Sequence, residues 1–231
     1  MTFLRPFVLA LCASFLLLAP SRASAAPGRA TAAVEASNRR LRESLRKFYK
    51  STGARREQAR REARAAVSAL LDFNAFAKET LGKHWASLTP AERARYTEAM
   101  RGAMEANYLA KMGSDSVDVE QVKVEILGEE KQGDRTVVKT KVHHGADTVQ
   151  VDYVMVDTKK GPRAIDVITE GVSLVETYRD QINTLLPKKG LNGVIEAFDR
   201  VRKRAEKQQN EQADRQTGAS AAAAPDAPPA K

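Results

Sequence analysis

The sequence predicts an α+β fold, with N-terminal helices and a C-terminal helix packed on one face of a curved antiparallel sheet of about four strands. Three observations predict it. Apolar residues recur every three or four positions through residues 32–112, as they do on helix faces. From 122 to 168 they alternate, as in half-buried strands. At 165–182 one period hands over to the other: Ile165 and Val167 alternate, whereas Leu174, Tyr178, Ile182 and Leu185 follow at helical spacing. Gly171 sits at the changeover, and Ser173 with Glu176 forms an S-x-x-E capping box, so a helix is expected to begin near Ser173.

In the first helix, residues 32–49, Val34, Leu41, Leu45 and Phe48 share one face. Ser51, Thr52 and Gly53 break it, and residues 54–71 resume with Ala59, Ala63, Val67, Leu70 and Leu71 as the apolar side. Arg55, Arg56, Arg60, Arg61 and Arg64, interleaved with Glu57 and Glu62, read as a solvated face rather than a binding stripe. Asp72 caps a short helix carrying Phe73, Phe76 and Leu81, Gly82 ends it, and Trp85 follows. Thr89, Pro90 and Glu92 make a T-P-x-E helix start. After it Tyr96, Met100, Met104, Tyr108 and Met112 stand four apart on one face. Flexible, polarizable methionines suit a greasy cavity of adaptable shape, and they suit plain core equally well.

Strands follow Gly113. Val122, Val124 and Ile126 alternate, as do Val138, Thr140 and Val142, with residues 128–134 as a polar hairpin loop between them. Val117 and Val119 have the opposite parity, so either the strand starts near Gln121 or a bulge falls at Glu120. Val149, Val151, Tyr153 and Met155 share one face of a third strand, residues 159–162 turn, and 164–168 complete an antiparallel meander. After Pro187 and Gly190 a last helix carries Leu191, Val194, Ile195, Phe198 and Val201. Residues 207–231, rich in Gln, Ala, Pro and Asp, read as a disordered low-complexity tail with no core to join.

The N-terminus reads as a secretory signal. Arg5 precedes an apolar run from Phe7 to Ala19, too short to span a bilayer, and Ala23, Ser24 and Ala25 form an A-x-A cleavage pattern. The 231 residues thus divide into a signal peptide at 1–25, one domain at 26–206 and the tail at 207–231. Cys12 follows Leu11, where a lipoprotein signal needs a small residue, and cleavage removes this single cysteine; disulfides and thiolate chemistry are thereby excluded. The net charge of +9 loses Arg5 and Arg22 on cleavage and stays basic. In an exported protein that favours anionic lipid headgroups, an acidic partner surface or a merely solvated exterior over nucleic acid.

Little catalytic chemistry is written in the chain. His143 and His144 adjoin on a strand, where neighbouring side chains point to opposite faces and cannot easily share a metal, and His84 stands beside Trp85. No nucleophile elbow, phosphate loop or H-E-x-x-H occurs. Asp152, Asp157 and Asp166 fit solvent-facing positions on strands. An isomerase would need an Asp and a Tyr in one apolar pocket, and Asp152 with Tyr153 point apart. The reading is a non-enzymatic binding protein with no cofactor and no metal.

Two blocks carry a resemblance. One is Glu170 to Val175 with Tyr178 and Arg179, following a strand with Asp166 and Val167; the other is Asp72, Phe73, Ala77, Leu81, Gly82 and Trp85, followed by Thr89, Pro90 and Arg93. In order and separation they resemble the MlaC family of periplasmic phospholipid-binding proteins, over residues 32–202. The resemblance implies an apolar cavity between sheet and helices that holds acyl chains and leaves the headgroup in solvent. It implies a monomeric carrier moving lipid between an inner-membrane ABC transporter complex and an outer-membrane lipoprotein complex. The lining expected from it is Phe73, Phe76, Leu81, Trp85, Tyr96, Met100, Met104 and Tyr108 on the helices, and Val151, Tyr153, Met155 and Val167 on the sheet. Val172, Val175, Tyr178 and Ile182 follow at the joint. Another apolar ligand, a hopanoid or an aromatic solvent, would suit the same lining. A deep pocket is a physical requirement for such a carrier: at about 0.8 kcal/mol per methylene, lifting roughly 30 chain methylenes from a bilayer forfeits on the order of 24 kcal/mol unless the protein replaces that environment.

Overall fold

The computed structural model describes residues 28–112 and 119–222. The expected signal peptide with Cys12, the Val117 position and residues 223–231 lie outside them. Helices α1 (Arg29–Tyr49), α2 (Gly53–Leu70), α3 (Phe73–Leu81) and α4 (Pro90–Met112) precede strands β1 (Lys123–Gln132), β2 (Arg135–His144), β3 (Asp147–Thr158), β4 (Gly161–Thr169) and β5 (Val172–Ser173), and α5 runs Leu174–Ala222. The strands form one antiparallel sheet in the order β1-β2-β3-β4-β5. The fold is α+β as expected, with one strand more than the alternation showed, because β5 is too short to carry a period.

Caps fix the helix ends. Asp72 Oδ1 accepts from the Asn74 and Ala75 amides at 3.1 and 3.0 Å, while the Asp72 N–H donates to the Ala164 carbonyl at 2.8 Å and ties the α2–α3 junction to β4. At α4 the capping box is complete: the Thr89 amide and hydroxyl both donate to Glu92 Oε2 at 2.8 Å, and the Glu92 amide returns to Thr89 Oγ1 at 3.3 Å. These bonds hold the Glu92 carboxyl below its ordinary pKa. Arg93 folds back from this turn, its Nε donating to the Trp85 carbonyl at 3.1 Å and its guanidinium lying 5.3 Å from the indole centre. α1 has no side-chain cap of its own, and Glu129 on β1 supplies one by accepting from the Thr31 amide and hydroxyl.

The hairpins are tighter than the sequence suggested. Gln132 pairs with Arg135, so residues 128–132, expected as loop, extend the strand and only Gly133 and Asp134 turn. The first strand begins at Lys123, and its bulge falls at Leu127, between Ile126 and Gly128, rather than at Glu120. The β4–β5 turn is Glu170–Gly171, with φ +49° and +78°; the glycine bears this left-handed backbone readily, and Glu170 is held there by mutual bonds between its amide and carboxylate and the backbone of Gln150.

The largest departure is the C-terminus. α5 breaks only at Gly190, φ +64°, three residues after Pro187, and then continues through residues 207–222, where a disordered tail was expected. Arg56, Arg60 and Arg64 of α2 meet Asp214, Asn210 and Glu206 of α5 as an antiparallel ladder, each rung one helical turn from the next. Arg56 is only 9% exposed, and Ala213 is fully buried in the helical core. Arg56, Arg60 and Arg64 are therefore a docking face for α5, while Arg55 and Arg61 of the same stripe are exposed as expected. Elsewhere on α5, Val194, Ile195 and Phe198 are buried, but Val201 is exposed.

Beside a small cluster of Ala106, Ala110 and Ala205, two large ones make most of the interior. The helical one centres on Phe48, Phe76, Tyr96, Met100 and Leu109, with Phe198 edge-on to Tyr96. The second joins Val34 and Leu70 to Val138, Tyr153, Met155 and Ala164 on the inner face of the sheet.

Candidate functional site

Between the helices and the inner face of the sheet lies a cavity of about 560 Å³. Period-two alternation builds its sheet wall in rows across the strands. Val124 faces Val142 and Val142 faces Val149; Val151 stands opposite Thr169, and Tyr153 opposite Val167. Helical spacing builds the opposite wall: Leu41 and Leu45 of α1, Met104 and Tyr108 of α4, Leu174 and Tyr178 of the first turns of α5. Val67, Leu70 and Leu71 close one side, Val119 and Val122 another. At about 30 Å³ per water-sized group, the space takes on the order of 19 methylenes, a full acyl chain.

Polar groups are few. Ser37, Asn38, Arg42, Asn107, Lys111 and Thr169 reach the wall, and no acid or histidine does so among the described residues. Asp152 lies on the outer sheet face, where its carboxylate accepts from the Gln150 side chain at 3.0 Å, so it shares no pocket with Tyr153. It is nonetheless buried, contrary to the solvent-facing position expected of it. Burial raises the phenol pKa of Tyr108, Tyr153 and Tyr178. Tyr108 is still 39% exposed and Val149 37%, because both look into the cavity rather than into packed protein. Among the described residues no group of acids, histidines or cysteines could hold a metal, and no helix is long and apolar enough to cross a membrane.

Of the expected lining, Met104, Tyr108, Val151, Tyr153, Val167 and Tyr178 face the cavity. Phe73, Phe76, Leu81, Tyr96, Met100, Val175 and Ile182 are instead close-packed in the helical core, with Trp85 against its edge. Met155 belongs to the cluster below the cavity, and Val172 is exposed on β5. The four-residue stripe on α4 thus divides along its length: Tyr96 and Met100 point into core, where the Tyr96 hydroxyl meets Thr80 Oγ1 at 2.8 Å, while Met104 and Tyr108 look into the cavity. The contribution of α1 and of β1–β2 was not anticipated. Its signal is present in the sequence, since Leu41 and Leu45 share one helix face and Val122, Val124 and Val142 alternate, but neither period distinguishes a cavity wall from filled core.

The motif residues mostly build joints. Asp166 accepts from the Val167 amide at 2.8 Å, the Ser173 hydroxyl at 2.6 Å and the Val175 amide at 3.0 Å, so this acid locks β4 to the start of α5 rather than facing solvent. Ser173 Oγ in turn accepts from the Glu176 amide at 3.1 Å. Arg179 donates through Nε and Nη2 to the Glu79 carbonyl at 3.0 and 2.9 Å and caps the last turn of α3. Tyr178 stands edge-on to Phe76, its ring centre 6.2 Å away.

The family model of the MlaC protein matches residues 35–200. Among solved structures the chain is similar to a phospholipid-binding protein from Ralstonia solanacearum in complex with a phospholipid, at 17% identity and a TM-score of 0.64, over 76% of this chain and 98% of that one.

Proposed function

This chain belongs to the MlaC family, and we propose that it is a phospholipid carrier that holds acyl chains in the cavity between sheet and helices. The observation that carries this reading is the cavity itself: 560 Å³ walled by valine, leucine, methionine and tyrosine, with its few polar groups on α1, α4 and the end of β4. Such a wall replaces the environment that a lipid tail loses on leaving a bilayer. The similar Ralstonia protein was solved with a phospholipid, which supports the ligand class. We further propose that the chain is exported to the periplasm by the signal at 1–25. There it acts as a monomer between an inner-membrane ABC transporter complex and an outer-membrane lipoprotein complex.

Purifying the protein from the periplasm, extracting it with organic solvent and identifying the extract by mass spectrometry tests the reading. Stoichiometric phospholipid is expected. A hopanoid, an aromatic solvent or an empty protein would refute it.

A further inference from the structure

The cavity wall is polar chiefly in two places, each an asparagine with a cation one helical turn further on: Asn38 with Arg42 on α1, and Asn107 with Lys111 on α4. Asn38 is the more constrained. Its side chain stands beside the enclosed hydroxyl of Tyr153, and its Nδ2 is buried with no hydrogen bond to a described residue. Buried N–H groups are almost always satisfied, so one left open on a cavity wall marks the place of an acceptor that arrives with the ligand. Hydrocarbon offers none; in a glycerophospholipid the first acceptors met from the tail end are the ester carbonyls. Arg42 is half-buried, makes no ion pair with a described residue, and lies about 6 Å further along the same helix face.

We propose that the Asn38 side-chain amide donates a hydrogen bond to an acyl-ester carbonyl of the bound glycerophospholipid and so fixes the depth at which the lipid sits, with Arg42 placed for its phosphate. This rests on the carrier reading and adds a chemical preference to it: the site distinguishes an ester linkage from an ether linkage carrying the same chains. The hydrocarbon wall cannot make that distinction.

The test is competition. The protein is incubated with vesicles containing equal parts of a diester phosphatidylglycerol and its diether analogue of matched chains, separated from them, and its bound lipid quantified by mass spectrometry. One neutral hydrogen bond predicts a diester preference of about two- to tenfold, falling to near one in Asn38→Leu. Equal uptake of both lipids by the unaltered protein would overturn the assignment and leave the carrier reading standing. So would a preference that survives N38L. Uptake of neither lipid would overturn the carrier reading and this assignment with it.

Discussion

Replacing Val151 with Trp separates cavity from core. Val151 stands in the sheet wall, opposite Thr140 and Thr169 on the neighbouring strands, and looks into open space. An indole there occupies room that the acyl chain needs; at about 0.8 kcal/mol per buried methylene, displacing roughly four methylenes costs about 3 kcal/mol, on the order of a hundredfold in affinity. Because the space is already present, folding should not suffer. Met100 is the control: it is fully buried in the helical core, its sulfur 3.7 Å from Thr80 Oγ1, and it does not line the cavity. Met100→Trp should overpack, costing about 1–3 kcal/mol, or roughly 2–12 °C in thermal midpoint for a domain of this size. Met104 is a poorer probe, since it faces the cavity with one side and the helical core with the other. Bound lipid by mass spectrometry and the midpoint by differential scanning fluorimetry are read on the same samples. V151W with full lipid content and a lowered midpoint would show that the wall is packed core and refute the assignment.

Three further outcomes follow from the packing. Ending the chain before residue 207 should lower the thermal midpoint by roughly 4–8 °C, about 2 kcal/mol, because it strands the buried Arg56 and uncovers the core where Ala213 sits; an unchanged midpoint would mean that the extension does not dock. Glu92 is bonded to Thr89 and its folded-state pKa lies below the ordinary 4.5, so its contribution is present above that value and lost as pH falls through the lower one; Glu92→Gln should flatten this part of the acid unfolding profile, and an unaltered profile would contradict the cap. Arg179→Met removes two bonds to the Glu79 carbonyl and should cost about 1–2 kcal/mol in urea unfolding, with the loss absent if α3 needs no such cap.

The elements were legible wherever one local period or one cap decided them. Asp72, Thr89 with Glu92, and Ser173 each cap a helix where the sequence placed a start, since a cap involves residues within one turn. What failed needed long-range partners. Residues 207–222 carry too little apolar surface to be read as structured, yet Glu206, Asn210 and Asp214 recur at the four-residue spacing that matches Arg64, Arg60 and Arg56. That complementarity is a relation between segments some 150 residues apart, which no window along the chain contains. Residues 128–132 look like loop because their side chains are polar, but they pair through backbone groups, whose identity no side chain announces.

The cavity was half legible for a different reason. Apolar periodicity says which face of an element turns inward and leaves open whether that interior is filled. On α4 the same four-residue repeat supplies core at Tyr96 and Met100 and cavity wall at Met104 and Tyr108; what changes between them is the opposite surface, α5 with Phe198 in one case and the curved sheet in the other. The residues that carry the family resemblance do not resolve this, because they mostly hold the frame: Asp166 and Ser173 join strand to helix, Arg93 folds onto Trp85, and Arg179 reaches from one block to the α3 carbonyl of the other. Val167, Leu174 and Tyr178 are the exceptions, all three facing the cavity, and Tyr178 stands edge-on to Phe76 with its other side. A joint tolerates few side chains because its hydrogen bonds are directional, whereas a wall that holds hydrocarbon needs only apolar surface of the right total shape. Family membership is therefore read from the joints, and the ligand preference from the few wall residues that are not hydrocarbon, Asn38 and Arg42 first among them.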